Sequence, residues 1–310
     1  MDLRQLHAVI AIAEHGSFSA AADALVTVQS NVSTHIKHLE NELGTVLIDR
    51  ATGQLTEAGE IVLVRARRVI GELDALSSDV TAMGHEVTGT VRFGAIGTTA
   101  RWLVPQLLEL APTRHPHLHL LFVEATTLGL DAQLASGLVD IGVLALPASG
   151  TEVRTIPLFE EDLGLCVPKD HELARARFVR LATLADLPLI LPIPGSAFRD
   201  DLDAVANAHG VSIQPFAEAD SIRLISSLTF EGCGLSVLPA GVLPSYLQDD
   251  WVIVPIEGLP PRHVGVAQRR RGLPGAPVRA VLDILSEIIF DPARIPQGVR
   301  PLPPDIFSPD

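Results

Sequence analysis

The chain has 310 residues, 47% of them hydrophobic, with 37 acidic against 23 basic side chains and a formal charge of −14. At roughly 100–200 residues per domain this length predicts two or three compact units, and the acidic balance excludes indiscriminate polyanion binding through bulk charge. The start, Met1-Asp2-Leu3-Arg4, lacks a basic apolar leader, no apolar run reaches the roughly 18 residues of a membrane span, and Cys166 and Cys233 provide no disulfide framework, so a cytoplasmic protein with no membrane partner is expected.

Leu3, Leu6, Val9, Ile10 and Ala13 recur at helical spacing and predict an amphipathic first helix that stops near His15-Gly16. Ser17 then starts a short, alanine-rich second helix from Phe18 to Leu25, a composition suited to close helix packing. From Gln29, the positions Val32, Ile36, Leu39 and Leu43 give a third helix one buried face and leave Ser30, Ser33, Thr34 and Lys37 free. After Gly44, extended pieces at 46–50 and 54–56 flank Ala51-Thr52-Gly53 and read as a small wing.

A long helix begins near Glu57. Within it Val62, Ala66, Val69, Leu73, Leu76, Val80, Met83 and Val87 alternate steps of four and three, a heptad seam that favours self-pairing over packing on its own domain. Beyond Gly89, strands alternate with helices, the signature of an α/β unit. Strands are predicted at 90–95, 118–124, 141–146, 163–167, 189–191, 214–217, 235–238 and 264–268, with helices near 99–111, 128–136, 199–208, 221–231 and 276–289. Extended stretches around Glu160-Glu161 and Arg262-His263 fit crossovers between two lobes. Residues 291–310 hold six prolines without periodicity and predict a disordered or polyproline tail.

Within residues 1–60, Phe18 with Ala20-Ala21-Ala22, Leu25, Gln29, Val32-Ser33, Ile36, Leu39-Glu40, Glu42-Leu43-Gly44, Leu47, Arg50 and Leu55-Thr56-Glu57-Ala58-Gly59 together resemble the head of LysR-type transcription regulators. Weaker similarity continues through Gly137-Leu138-Val139-Asp140-Ile141, Val167-Pro168-Lys169-Asp170-His171 and the stretch from Gly232 to Pro239. The resemblance implies an α/β protein with a winged helix-turn-helix at 1–59, a linker and dimerisation helix at 60–89, and a two-lobed effector domain at 90–290 similar to periplasmic binding proteins. Lobe I is expected at about 90–161 and 266–290, lobe II at about 162–265, and the proline-rich tail at 291–310. Double-stranded promoter DNA and a second copy of the chain are the implied partners, with RNA polymerase a further candidate and dimer or tetramer left open.

A helix-turn-helix presents the start of its second helix to base edges in the major groove. Gln29, Ser30, Ser33 and Thr34 occupy that start, while Lys37 and Arg50 are placed to neutralise phosphates. The plain alternative is the solvated side of a small helical bundle. Three departures from the family pattern weaken phosphate binding: Val28 stands where the family usually has Ser, so a capping hydroxyl is lost unless Thr27 replaces it; Ser30 replaces a common Pro; and Thr34, His35 and His38 replace longer polar groups. Residues 1–60 also contain three Lys or Arg against eight Asp or Glu. Such a head depends on avidity between paired copies or on protonated histidine, so DNA binding is expected to strengthen below about pH 6.5. Arg65, Arg67 and Arg68 either add charge near the duplex or flank the seam as solvated groups.

In the sensor, helix starts at Thr98-Thr99 and Gly195-Ser196 are candidate effector contacts, because free N–H groups and the helix dipole favour anions. A carboxylate is the effector class they fit, no other cofactor or metal is indicated, and ordinary N-capping is the competing reading. Arg101, Arg199 and Arg223 could meet an anion but read as solvent-facing helix residues; Cys166 and Cys233 read as inert core against a redox pair, and His115, His117 and His119 as a surface cluster against a metal site. No nucleophile elbow, phosphate loop or zinc motif occurs, so catalysis is not expected. A solute-binding transport protein would have no use for residues 1–60. A member of the family with weakened DNA binding, acting through protein contacts, is the remaining rival.

Overall fold

The computed structural model describes residues 1–84 and 86–303; residues 304–310 of the expected tail lie outside them. The first helix, α1 (Leu3–His15), opens on a reciprocal cap in which Gln5 N donates to Asp2 Oδ1 at 3.0 Å and Asp2 N donates to Gln5 Oε1 at 2.8 Å. It is followed by α2 (Phe18–Ala24), capped by Ser17, and α3 (Gln29–Leu43). Ala8, Val9, Ala21, Val32, Ile36, Leu39, Leu47 and Ile48 are fully buried together, and the small Ala21 lets the three helices approach closely. The wing is a single bridge, Ile48 to Leu55, closed by Asp49 N donating to Gln54 O at 2.8 Å.

The linker helix α4 (Glu57–Ala82) starts on Thr56, whose Oγ1 accepts from Gly59 N at 3.1 Å. A side chain at Gly59 would bring its Cβ to 2.1 Å from the Leu47 carbonyl oxygen, so the wing and helix can meet only at glycine. One face of α4 docks on the sensor: Arg68 Nη2 donates to Ala135 O at 2.7 Å, and Asp79 Oδ1 accepts from Ala276 N at 2.7 Å. The opposite face leaves Val69, Leu73, Leu76 and Val80 exposed by 40–63%. The expected seam is therefore shortened. Leu63 and Ala66 are buried near the head, and Met83 and Val87 lie beyond the helical hydrogen-bond ladder.

The sensor's first lobe is entered by β1 (Gly89–Ala95), α5 (Gly97–Arg114), β2 (Leu118–Glu124), α6 (Thr127–Ser136), β3 (Ile141–Ala145) and β4 (Val153–Glu161). The chain then builds the second lobe from β5 (Leu163–Pro168), β6 (Val179–Arg180), α7 (Leu181–Leu184), β7 (Ile190–Pro192), α8 (Ala197–Ala208), β8 (Ala217–Ala219), α9 (Ile222–Phe230), β9 (Ser236–Pro239) and β10 (Trp251–Glu257). It returns through β11 (Arg262–Arg269), α10 (Ala276–Phe290) and β12 (Val299–Pro301). The first sheet runs β12-β4-β11-β3-β1-β2, the second β6-β10-β5-β9, with β7 and β8 paired beside it. Phe93, Leu103, Phe159 and Ile284 fill the first core, and Leu165, Leu191, Val237 and Val254 the second.

Three expectations need correction. The strands β4, β6 and β10 extend the sheets beyond those predicted. The return crossover comes earlier, because β11 pairs with β4 from Arg262 onward, which places 262–265 in the first lobe. The tail is not wholly irregular: β12 lies antiparallel on β4, with Val299 opposite Glu161, and Arg300 Nε donates to Glu160 Oε1 at 2.7 Å. The cause is the free backbone of β4 at the sheet edge, which accepts a proline-containing strand because no further neighbour needs the missing N–H.

Candidate nucleic-acid interface and effector cleft

Helix α3 holds the candidate DNA contacts because its buried stripe, Val32, Ile36 and Leu39, fixes which face is free. Gln29, Ser30, Thr34, Lys37 and His38 are exposed on that free face, with Ser33 half-buried among them. The N-cap is Val28, which supplies no side-chain acceptor. Thr27 does not take over this role, since its Oγ1 accepts from the Asn31 side chain at 3.0 Å. The N–H groups of Gln29 and Ser30 are thus free to meet an external acceptor, while that of Asn31 donates to Val28 O at 3.0 Å. The preceding turn passes through Val26 at φ 52, a left-handed conformation that β-branched residues rarely adopt.

Two candidates are partly engaged within the head. Thr34 Oγ1 donates to Ser30 O at 2.7 Å, leaving its lone pairs as acceptors. Arg50 lies over the Phe18 ring at 5.9 Å and reaches Glu40 at 3.4 Å, so part of its charge is already matched. Glu40 in turn accepts from Leu47 N at 2.9 Å and anchors the wing to α3. Asn31 is an exposed neighbour of Gln29 on the same turn that sequence reasoning passed over, although its polar type and position beside the named residues were the available signal.

In the sensor, Thr98 and Thr99 lie inside the first turn of α5, at 4% and 0% exposure, while Ile96 occupies the cap position. Ordinary capping by either hydroxyl is therefore excluded. Thr98 Oγ1 accepts from Arg262 Nη2 at 3.1 Å, and Arg262 pairs with the fully buried Glu161. The other oxygen of Glu161 accepts from Gly241 N, in the second lobe, at 2.7 Å. Around this junction Thr99 Oγ1, Trp102 Nε1 and Arg262 Nε are buried without a hydrogen-bond partner. Buried polar groups are normally satisfied, so three such atoms at a crossover between lobes are exceptions. A side chain at Gly241 would meet Trp102 Nε1 at 2.9 Å.

Gly195 and Ser196 belong to a different setting. Gly195 N donates to Asp200 Oδ1 at 3.0 Å, and Ser196 Oγ accepts from Arg199 N at 3.3 Å as the cap of α8. None of their hydrogen bonds crosses to the first lobe, so the structure does not join them to Thr98 and Thr99. Arg199 is buried, donating to Asp203 and to Glu218 at 2.7 Å each, and supports the second lobe. Arg223 pairs with Glu124 and Arg101 donates to Tyr246 at 3.1 Å, both linking the lobes. Trp102, Glu161, Gly241 and Arg262 meet at the lobe junction, a grouping that sequence reasoning missed; the charged crossover stretches were its one visible trace.

Comparison with known proteins agrees with this architecture. A family model described as the bacterial regulatory helix-turn-helix protein, lysR family, matches residues 3–60, and one for the LysR substrate binding domain matches 84–288. The chain is 31% identical over 293 residues to the DNA-binding transcriptional dual regulator OxyR of Escherichia coli K12, covering 93% of this chain and 95% of the relative. It is 32% identical to a probable hydrogen peroxide-inducible genes activator of Mycobacterium leprae, covering 92% and 93%. Full-length OxyR of Pseudomonas aeruginosa with a cysteine-to-aspartate substitution superposes with a TM-score of 0.73 at 25% identity, covering 97% of each chain. CbnR bound to its target DNA shares the fold, with a TM-score of 0.66 at 24% identity over 93% of this chain and 99% of that one. With its helix-turn-helix head, linker helix and two-lobed effector domain, the chain belongs to the LysR family of DNA-binding transcription regulators.

Proposed function

We propose that α3 enters the major groove of promoter DNA, with Gln29, Ser30, Ser33 and Thr34 toward base edges and Lys37 and Arg50 on phosphates. The observation that carries this reading is the uncapped, polar start of α3 standing free on a buried stripe. Two heads act together through the exposed Val69, Leu73, Leu76 and Val80 of α4, which restores the avidity that an acidic head needs. The protein works in the cytoplasm; no helix among the described residues is long and apolar enough to cross a membrane.

The effector sits at the lobe junction beside Thr98 and Thr99, where Trp102 Nε1 and Arg262 Nε supply unused donors, a set that suits a carboxylate. Gly195 and Ser196, which no hydrogen bond joins to this junction, are a separate candidate anion contact of the second lobe. Several relatives are named for hydrogen peroxide, but thiol oxidation is not the reading favoured for this chain. Burial pushes the Cys166 thiol up to about 12, leaving it protonated and unreactive near neutrality, and Cys233 is exposed and not bonded to it. Effector binding shifts the lobe angle and so the geometry of the paired heads.

The test is fluorescence anisotropy of the full chain with DNA from its own upstream region at low salt, with and without a panel of carboxylates. Binding that weakens steeply with salt and changes with one carboxylate supports the reading. A folded, self-associated protein that binds no fragment refutes the DNA assignment, and binding that no carboxylate or its Thr99→Val control alters refutes the effector assignment.

A further inference from the structure

A cavity lies away from the lobe junction, between α4 and the first lobe, with a volume of about 390 Å³. That is within the range of small-molecule sites, roughly 300–1,000 Å³. One wall is the stretch of α4 from Gly71 to Ser78, and the other is built from β1, β4, the end of β11 and the loop into α10. Arg154, Arg269 and Arg271 line it, and none of the three makes an ion pair among the described residues. That is notable in a chain whose acids outnumber its bases. The guanidinium of Arg269 reaches across to α4, where a Cβ on Gly71 would stand 3.9 Å from its Nη2.

The chemistry of the wall is donor-rich. Gln268 is 94% buried by its 6% exposure, its Oε1 accepts from Arg154 Nη2 at 3.2 Å, and its Nε2 has no partner. Because arginine can only donate, that bond fixes the amide orientation and leaves an N–H pair as the unmet group. Carboxylates of Glu72, Asp74 and Asp140 also line the cavity: Asp140 accepts from Arg92 N at 2.8 Å, and Glu72 and Asp74 lie on the α4 wall, where Ser77 and Ser78 are the residues with side-chain donors for an anion. A smaller cavity of about 190 Å³ continues the groove past Arg65 and Arg68 and shares Arg269 and Arg271. The guanidinium forks of Arg269 and Arg271, beside an unsatisfied buried amide, call for an acceptor, and forks match the oxygens of phosphate and carboxylate.

We propose that this cavity is an accessory anion site that takes the phosphoryl or carboxylate group of a small metabolite and ties the linker helix to the first lobe. It is separate from the effector cleft at the lobe junction and does not rest on that assignment. Since α4 carries the DNA-binding head, an anion bridging Arg271 and α4 restricts the swing of the head relative to the sensor.

The test uses the full chain, titrated by calorimetry with inorganic phosphate and with citrate at constant ionic strength set by sodium chloride. Saturable binding of either anion is expected, with the tighter one naming the preferred group. Arg271→Ala, at an exposed position, weakens it on the order of tenfold or more. Gln268→Leu weakens it as well, and Arg177→Ala, an exposed second-lobe position that lines neither cavity, leaves it unchanged. Hydrogen exchange with the tighter anion shows protection on both walls, at 71–78 and 268–275. No saturable binding, equal binding by Arg271→Ala, or saturable binding with no protection at these walls overturns the proposal.

Discussion

Glu161 offers the sharpest test of how the sensor is held together. Its carboxylate is fully buried, pairs with Arg262, whose side chain is 11% exposed, and accepts from Gly241 N across the lobes. Glu161→Ala removes the acceptor for a buried cation and for a buried backbone donor at once. Breaking one side of a buried pair costs about 3–5 kcal/mol, because the remaining charge stays desolvated. Replacing both members with apolar groups removes that penalty, so Glu161→Ala combined with Arg262→Leu is expected to recover part of the loss. Urea titration of the full chain reads each lobe through tryptophan fluorescence, since Trp102 lies in the first lobe and Trp251 in the second. Comparing the transitions avoids assuming that the whole chain unfolds in one step. A loss under about 1 kcal/mol for Glu161→Ala, or a double variant less stable than the sum of the singles, refutes the reasoning.

Lys37→Ala is expected to flatten the salt dependence of DNA binding by about one phosphate contact, a slope change near 0.9 in log K against log salt, whereas Arg50→Ala has a smaller effect because Phe18 and Glu40 already hold that side chain. Anisotropy at several salt concentrations distinguishes the two. Leu76→Glu, in the exposed seam, is expected to dissociate the oligomer, since a buried leucine contributes about 1.5–3 kcal/mol per copy; an unchanged sedimentation coefficient counts against the seam. A maleimide at pH 7.5 is expected to label Cys233 rapidly and Cys166 only after denaturation, in line with a buried thiol pushed up to about 12, and rapid double labelling of native protein would contradict it. Burial also raises the Asp140 pKa above its usual 3.8, so the folded chain holds that proton more tightly than the unfolded chain and loses stability as pH rises through the folded value. Asp140→Asn should therefore raise the melting temperature at pH 7, with the gain fading as pH falls toward 4; a variant less stable at pH 7 would show that its bond from Arg92 matters more.

Local periodicity made most of the architecture legible. The steps separating Val32, Ile36 and Leu39 decided which side of α3 is buried and therefore which polar residues stand free, because a helix repeats every 3.6 residues whatever surrounds it. The alternation of strands and helices after Gly89 likewise announced an α/β unit, the resemblance to LysR-type regulators implied a two-lobed sensor, and the apolar spacing along α4 announced a face to be covered. What lay beyond reach were contacts between distant positions. Arg262 meets Glu161 across 101 residues of sequence, Arg300 joins Glu160 at the sheet edge, and Asp79 caps the start of α10 across 197 residues. Their partners depend on strand register and helix docking, which arise from the packing of whole faces. The burial of Thr98 and Thr99, the supporting role of Arg199 and the arginine-lined cavity beside α4 were decided there, since a side chain's chemistry follows from its neighbours, and only the closed fold supplies them.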